Sequence, residues 1–398
     1  MHCPAINDQS DLKLSIFDSV HLLNEAHWES VVPDNEVYMT LPYLRALEAS
    51  LGDHIDFRYI LFYNNEFNPV GVAIVQLLRF TNTDLNITDL QSRFGQYLSD
   101  KLLHNLDARV LLCGNAFSTG ENGFWFCDSV SNDIAKRNLS RALNRIKRDE
   151  KKANNGVSII LIKDIWPQSF DNMEALKHEG YSDFEIDVNM VLNLKSEWKN
   201  FDDYQNDLVT KFRTKVKGIY KKSAGLEHRI LSSEDIQQYE DVIHGLYANV
   251  LNRADYRFGE LKADTFKRFA EALPNYFRMA GYFLEGEMVG FSTCFKGDDV
   301  VDANFVGINY EYNHTHAIYQ RMLCDFIQYG IDSGMKSLRL GRTAEEMKST
   351  LGAEPVPMKL YVRHKNHITN KLVKPIVGHI KPSKFELRKP FKAVFYQE

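Results

Sequence analysis

The sequence of 398 residues lacks any long apolar run, and its longest apolar stretches have the length of a single β-strand. A membrane-spanning helix needs about 20 apolar residues, so none is predicted. The amino terminus, MHCPAINDQSDLK, lacks the basic and apolar regions of a signal peptide. Export is therefore not expected, and the sequence predicts a cytoplasmic protein.

Cysteine is scarce, with five residues scattered along the chain without close pairs: Cys3, Cys113, Cys127, Cys294 and Cys324. No CxxC pattern is present, and an odd count argues against a disulfide framework. We expect all five to be reduced, small core residues. The thirteen histidines include no HExxH pattern, so no metal site is predicted.

Nucleotide-binding motifs are also missing, because the sequence has neither a GxGxxG nor a Walker A pattern. Strand-like apolar segments alternate with helix-like segments along the whole chain. The pattern predicts a mixed α/β protein that does not bind nucleotides through a Rossmann or P-loop motif.

Two similar hairpins indicate an internal duplication. FRYILFYNNEFNPVGVAIVQLL (57–78) and FRMAGYFLEGEMVGFSTCFKG (277–297) each join an aromatic-rich strand to a strand that opens with Val-Gly. Each is followed by a helix and by a strand that ends in glycine and polar residues. Such hairpins are common, but the ordered recurrence favours two domains, at 1–198 and 199–364, followed by a basic tail at 365–398.

Charge is unevenly distributed, since the net charge of −5 combines a tail of +8 from Lys359 onward with −13 in the preceding 358 residues. Two helical segments, 134–152 and 201–224, also carry basic stripes. Basic faces are usually only solvated surface, but the tail and both stripes together favour an anionic partner.

Four lysines of the tail alternate with aliphatic residues: Lys371, Lys374, Lys381 and Lys384. This alternation suits peripheral contact with an anionic membrane, on its inner face, and equally suits a tail packed on its own domain. A nucleic-acid partner has the least support, because aromatic interleaving and a known module are both lacking, and no DNA is expected.

The densest group of charges lies within SLRLGRTAEEMKSTLGAEPVPMKLYV, residues 337–362. A buried strand ends at Gly341, a charged helical turn follows, and Gly352 precedes another strand. Sites in α/β proteins commonly lie at the carboxyl ends of strands. This segment is therefore the predicted functional site.

The second half resembles tandem GNAT-like acyltransferases of the FemAB-like, or peptidoglycan biosynthesis and recognition, type. The resemblance rests on FRTKVKGIYKKSAGLEHRIL, on the Val-Gly hairpin, and on the run from His314 to Pro357. Within that run the family pattern falls on Tyr319, Gly334, 346–348 and Gly352. The resemblance implies two tandem GNAT-like domains, each a mixed sheet flanked by helices.

Acyl transfer to an amine requires a base, an oxyanion-stabilising group and a proton donor. The resemblance implies catalytic roles for residues of the second domain. Glu346 or His316 is the candidate base, and Tyr319 is the candidate acid. Lys348 or Arg342 is the candidate for the oxyanion or for an anionic group of the substrate.

Polar residues beside these candidates are predicted to bind substrate. Asp302 and Asn304 share one face of a strand. In the first domain, which we expect to be structural or acceptor-binding, Asn115 echoes the strand end at 338–348 but without a Glu-x-Lys pattern.

Structural alternatives stay open for three of the candidates. A helix turns Glu346 away from Lys348, so an ordinary ion pair is its alternative role. Tyr319 equally suits core packing, and His316 equally suits a surface loop.

The predicted activity is N-acyl transfer from acyl-CoA or an acyl carrier protein to an amine of a lipid or a cell-envelope precursor, with no tightly bound cofactor. Members of the family that use aminoacyl-tRNA look to have a long helical arm in the second domain. No heptad-patterned pair of helices is visible in this sequence, which argues against tRNA as the donor. The glycine-rich pyrophosphate loop of GNAT enzymes is also missing, which favours a donor held differently. Aminoacyl transfer to a peptidoglycan precursor and non-catalytic recognition are the alternatives.

Overall fold

The structure, a computed structural model, describes residues 11–81, 107–253, 260–364 and 385–396. Its strands are β1 (Lys13–Phe17), β2 (Asp56–Tyr63), β3 (Pro69–Thr81), β4 (Asp107–Cys113), β5 (Phe124–Phe126), β6 (Ile159–Ile165), β7 (Ser182–Asn193), β8 (Leu226–Ile230), β9 (Phe277–Leu284), β10 (Glu287–Lys296), β11 (Val300–Ile308), β12 (Ser337–Arg339) and β13 (Glu354–His364).

The α-helices are α1 (Glu25–Glu29), α2 (Leu41–Leu51), α3 (Asn132–Lys152), α4 (Ala175–His178), α5 (Phe201–Asp207), α6 (Thr210–Lys222), α7 (Ser233–Gln238), α8 (Glu240–Leu251), α9 (Ala263–Ala272), α10 (Tyr310–His316), α11 (Ile318–Asp332) and α12 (Glu345–Ser349).

The chain forms two compact units. Of the described residues, the first comprises 11–81, 107–186, 260–261 and 357–364, and the second comprises 187–253, 262–356 and 385–396. The predicted domains differ from these units. Residues 187–198 and the described part of the predicted tail lie in the second unit, whereas residues 260–261 and 357–364 lie in the first, where the end of β13 pairs with β6.

The first unit contains a mixed sheet with the strand order β1-β2-β3-β4-β6-β13. Its strands pair antiparallel except for β4 and β6, which run parallel from Val110↔Ile159 to Cys113↔Ile162. The short β5 pairs with β3 beyond the end of β4, at Gly71–Ala73. Helix α3 connects this edge to β6 and buries its apolar face, including Leu139, Leu143 and Ile146.

The second unit repeats this arrangement with the order β7-β12-β11-β10-β9-β8. Here β11 and β12 are the parallel pair, from Val300↔Ser337 to Asp302↔Arg339. The two-residue turn between β9 and β10 places Glu285 and Gly286 at positive φ, as a hairpin turn requires. Helix α11 follows β11 and buries residues such as Ile318, Met322 and Ile327.

The predicted elements are largely present, with shifted boundaries. The helix predicted over 201–224 is divided at Leu208 and Val209, whose backbones are extended. Helix α11 begins at Ile318, because Ala317 adopts a left-handed conformation.

One expectation about cysteine is wrong. Cys113, Cys294 and Cys324 are free and buried, as predicted. Cys127, however, is part of a disulfide. Residue spacing gave no indication of this bond, because pairing depends on proximity in the fold rather than along the chain.

Candidate functional site

The parallel strands of the second unit separate at the predicted site. Their pairing ends at Asp302↔Arg339, although β11 continues to Ile308. At this end the Arg339 guanidinium lies 3.5 Å from the Asp302 carboxylate. Carboxyl ends of parallel strands are common ligand sites in α/β sheets. The position predicted from the sequence thus lies where the sheet opens.

The turn after β12 has an unusual backbone. Gly341, Thr343 and Ala344 have φ values of 71°, 61° and 51°. Glycine adopts this region freely, whereas a β-branched threonine does so rarely and at an energetic cost. Strained backbone of this kind persists only where the surroundings hold it, and it concentrates at functional sites.

Lys348 holds this turn from within the protein. Its Nζ donates to the carbonyl oxygens of Gly341 at 3.2 Å and of Arg342 at 2.5 Å, and the residue is only 2% exposed. Burial lowers the pKa of Lys348 to about 7, and the nearby Glu345 opposes that shift. The ammonium predicted to act on a substrate is therefore bonded to the backbone of the turn.

Tyr319 lies in the first turn of α11, next to the same group of charges. Burial raises the pKa of its phenol, and Tyr310 and Glu345 raise it further. Its backbone N–H donates to the Asn313 side chain at 3.0 Å, which caps the start of α11. Glu345 influences the pKa of both Tyr319 and Lys348, so it links the two predicted residues.

Glu346 points toward a different partner. Its carboxylate accepts hydrogen bonds from Arg388, at 2.6 Å from Nη2 and 3.2 Å from Nε, and its side chain is 54% exposed. The separation of Glu346 from Lys348 expected from helical geometry is therefore present. Its role as a base stays a prediction.

Arg388 belongs to a C-terminal strap, residues 385–396, that packs on the second unit. Its backbone N–H donates to the Ser349 hydroxyl of α12 at 3.1 Å. Phe391 is buried and packs against Gly352, where a Cβ atom would overlap the phenylalanine ring. Gly352, part of the family pattern, is thus needed for this contact and for its φ of 96°.

His316 ends helix α10 and is partly exposed. Its Nδ1 lies 2.9 Å from the Thr315 hydroxyl, and its ring meets Tyr312 edge-on at 6.0 Å. The structure leaves the predicted role of His316 as a prediction.

The predicted substrate-binding residues differ in exposure. Asp302 is 8% exposed, whereas Asn304 and Arg342 are partly exposed. Asp302 and Asn304 alternate along β11 and so share one face of the sheet. Their binding roles stay predictions.

Asn115 of the first unit is buried in a packed turn. Its side-chain amide donates to the Tyr43 hydroxyl at 2.7 Å, and its side-chain oxygen accepts from the Phe117 N–H at 2.9 Å. Lys163 of β6 donates to the carbonyl oxygens of Asn115 at 2.9 Å and Ser118 at 2.5 Å. These contacts give Asn115 a structural task, and its predicted binding role stays untested.

Sequence reasoning missed several residues of these turns. Lys163 lies in an apolar strand and has no motif around it. Glu345 was seen only as one of several charges, and the pairing of Arg388 with Glu346 spans 42 residues. A lone lysine inside an apolar strand is the one signal that could have identified Lys163, because buried lysines need partners.

The predicted membrane-contact lysines Lys371, Lys374, Lys381 and Lys384 lie outside the described residues. Within the described ranges, no helix is both long enough and apolar enough to cross a membrane. In the same ranges, no group of three or more histidine, cysteine, aspartate or glutamate residues is arranged to hold a metal ion.

No protein-family model matches the sequence, and no curated protein matches it. Among solved structures, FemX is 11% identical, covers 90% of this chain and 100% of its own, and gives a TM-score of 0.54. A tandem GNAT protein from the clavulanic acid biosynthesis pathway, solved without AcCoA, is 9% identical, covers 89% and 99%, and gives 0.50.

At these identities the likeness shows the fold alone. The chain has a tandem GNAT-like fold of the type found in FemX. The predicted fold class, a mixed α/β protein with two tandem GNAT-like units, is confirmed, and the resemblance to FemAB-like proteins is confirmed at the level of the fold.

Proposed function

We propose that the chain is an N-acyltransferase that moves an acyl group from a thioester donor to an amine of a lipid or a cell-envelope precursor. The observation that supports this most is the strained turn Gly341–Ala344, held by the buried Lys348 and lying near Glu345 and the partly buried Tyr319. In the reaction the amine nitrogen attacks the thioester carbonyl carbon and the C–S bond breaks. The ammonium proton goes to a base, and the departing thiolate takes up a proton.

Tyr319 is assigned to the oxyanion. A phenol is protonated at neutral pH, and burial raises the pKa of Tyr319 further, so its O–H is available to donate a hydrogen bond to an oxyanion. The same raised pKa makes it a weak proton source for a thiolate. This assignment modifies the role predicted from the sequence, where Tyr319 was the candidate acid.

Lys348 acts by positioning rather than by contact with the substrate. Its bonds to the Gly341 and Arg342 carbonyls fix the turn that carries Arg342. Backbone N–H groups of such a turn, together with Arg342, are suited to hold an anionic part of a substrate. His316 is the proposed base, because Glu346 is engaged by Arg388.

An anionic donor fits the surface of α6, which packs against α10 and α11. Arg321 of α11 lies over the Tyr220 ring at 4.7 Å and donates to the Ser223 hydroxyl at 3.4 Å. These contacts connect the carboxyl end of α6 to α11, the helix that carries Tyr319. Five lysines of α6 are exposed, and none forms an ion pair with an acidic residue in the described ranges: Lys211, Lys215, Lys217, Lys221 and Lys222.

Both proposed donors carry negative charge, acyl-CoA on its phosphates and an acyl carrier protein on its acidic surface. The lipid acceptor is proposed from the basic tail of the sequence. The cell-envelope acceptor is proposed from the resemblance to FemAB-like proteins, and FemX is the similar solved structure of that type.

The test is a transfer assay with the purified full chain. Acyl-CoA or an acylated carrier protein is mixed with phosphatidylethanolamine, a sphingoid base or an amine-bearing peptidoglycan precursor, and products are identified by mass spectrometry. We expect an acylated amine and one equivalent of free thiol. Tyr319→Phe should lower kcat by about a hundredfold, the size of effect seen when an oxyanion donor is removed.

Tyr329→Phe is the matched control, because it removes a phenol from the same helix without touching the proposed site, and it should keep full turnover. If every donor stays intact while an acceptor still binds, the protein is a recognition protein. A product formed only from an aminoacyl-tRNA would favour aminoacyl transfer instead.

A further inference from the structure

A cavity of about 470 Å³ lies in the first unit, away from the residues discussed above. Strand β5 forms one wall with Phe124, Trp125 and Phe126, and the start of helix α3 forms another with Asn132 and Lys136. This volume falls within the range of small-molecule sites, which are mostly apolar with a few polar groups.

Lys136 is the unusual member of this lining. It is only 7% exposed, and its Nζ makes no hydrogen bond or ion pair in the described ranges. The Lys136 Nζ lies over the Phe124 ring, 4.7 Å from the ring centre, in a cation–π contact. An unpaired buried ammonium is costly, so this lysine lacks the acceptor that such a group normally has.

Burial lowers the pKa of Lys136 to about 8, and Glu121 and Cys113 oppose the shift. Glu121 is the nearest acid, but its carboxylate already accepts hydrogen bonds from the Trp166 N–H at 2.5 Å and the Ser169 hydroxyl at 2.9 Å. Asp128 also lines the cavity and is exposed at its mouth. Glu121 therefore acts on Lys136 through its charge while it holds the Trp166 N–H and the Ser169 hydroxyl.

The start of α3 adds a second attraction for negative charge. This helix has 21 residues, and its N-cap residue Ser131 makes no side-chain cap hydrogen bond. The Asn132 side chain donates to Asn172 at 2.7 Å instead of turning back to the helix. Backbone N–H groups at an uncapped helix start, together with the helix dipole, favour an anion.

We infer that this cavity binds a small organic anion, with its carboxylate or phosphate group between Lys136 and the start of α3 and with a flat ring against the wall that β5 forms. The anion supplies the acceptor that the buried lysine lacks, and the aromatic wall matches a ring rather than a chain. This site does not depend on the proposed acyl transfer.

Calorimetric titration of the full chain with benzoate, phenyl phosphate and inorganic phosphate tests the inference. We expect saturable binding of benzoate or phenyl phosphate, and the stronger of the two identifies the head group. Lys136→Met should weaken binding by about tenfold or more, because it removes a charged hydrogen bond. The control Lys151→Met, an exposed lysine of the same helix, should change the affinity by less than about twofold.

A second measurement needs no variant. Binding of an anion raises the pKa of its lysine partner, so at pH 9 the wild-type protein should take up a proton on binding, and at pH 6.5 it should take up none. Titration in two buffers of different ionisation enthalpy measures this uptake. No saturable binding, equal binding by Lys136→Met, or binding without proton uptake at pH 9 would overturn the inference. Equal affinity for inorganic phosphate and phenyl phosphate would overturn the ring contact.

Discussion

Helix α3 of the first unit and helix α11 of the second follow corresponding parts of the two sheets. They differ in whether a side chain accepts a hydrogen bond from a backbone N–H in the first turn. The start of α3 has no side-chain cap and faces a cavity beside Lys136. The start of α11 follows the short helix α10, and the Asn313 side chain accepts its Tyr319 N–H. One duplicated topology therefore offers an open helix start in one unit and a closed one in the other.

The buried lysines Lys163 and Lys348 extend this comparison. Each donates to two backbone carbonyls of a turn at the end of a sheet strand. In the first unit the turn packs around Asn115, whereas in the second it contains Thr343 and Ala344 at positive φ. A buried lysine thus holds a turn in each unit, and the two turns differ in their residues at positive φ: Gly114 in the first unit, and Gly341, Thr343 and Ala344 in the second.

This difference suggests a division of tasks between the units. The strained turn, Tyr319 and the exposed lysines of α6 support chemistry in the second unit. The open helix start and aromatic wall support binding in the first. Duplicated folds commonly keep their framework and differ in the turns at the strand ends, where sites form.

The largest expected change in the free energy of unfolding comes from the contact between Gly352 and Phe391 of the strap. Gly352→Ala should destabilise the protein by about 3 kcal/mol, because the new Cβ combines backbone strain at positive φ with overlap of Phe391. Gly334→Ala is the matched control, with a φ of 67° and no heavy atom within 4 Å of its Cβ. It should cost about 1 kcal/mol from backbone strain alone.

Chemical denaturation of both variants measures this difference. Equal losses at Gly352 and Gly334 would show that Phe391 moves aside freely. In that case the strap would not be held against the second unit as described.

A smaller effect tests the two helix starts directly. Asn313→Ala should cost about 1 kcal/mol, because it leaves the Tyr319 N–H in the first turn of α11 without its side-chain acceptor. Ser131→Ala at the start of α3 should cost less than about 0.5 kcal/mol, since that hydroxyl caps nothing. Equal costs in thermal or chemical unfolding would contradict the distinction between open and closed starts.

Much of the framework could be predicted from the sequence because it follows from repeating patterns. The Val-Gly hairpins, the apolar positions Phe212 and Val216 of α6, and the glycine of the family pattern at 352 all have periodic or local signals. The family pattern pointed to Gly352, but the sequence did not show why glycine is needed there. The ring that excludes a Cβ belongs to Phe391, which is distant in sequence and contacts Gly352 only in the fold.

The turns were less predictable because their contacts are not local. Thr343 and Ala344 carry no sequence signal for positive φ, since that region is normally left to glycine. Lys136 lies one position from the basic stripe of α3, and only the packing of the helix shows that it is buried while its neighbour Arg137 is exposed. A charged residue is expected to be solvated until the structure shows otherwise.

The most direct test of the account compares Lys348→Met with Lys163→Met in the transfer assay, at a donor and acceptor pair that the wild type uses. The account predicts a fall in kcat of about a hundredfold for Lys348→Met with little change in the donor KM, because the strained turn loses its support. Lys163→Met, measured where circular dichroism shows a folded protein, should keep kcat within about threefold. Equal loss in both variants, or full turnover in Lys348→Met, would contradict the assignment of catalysis to the second unit.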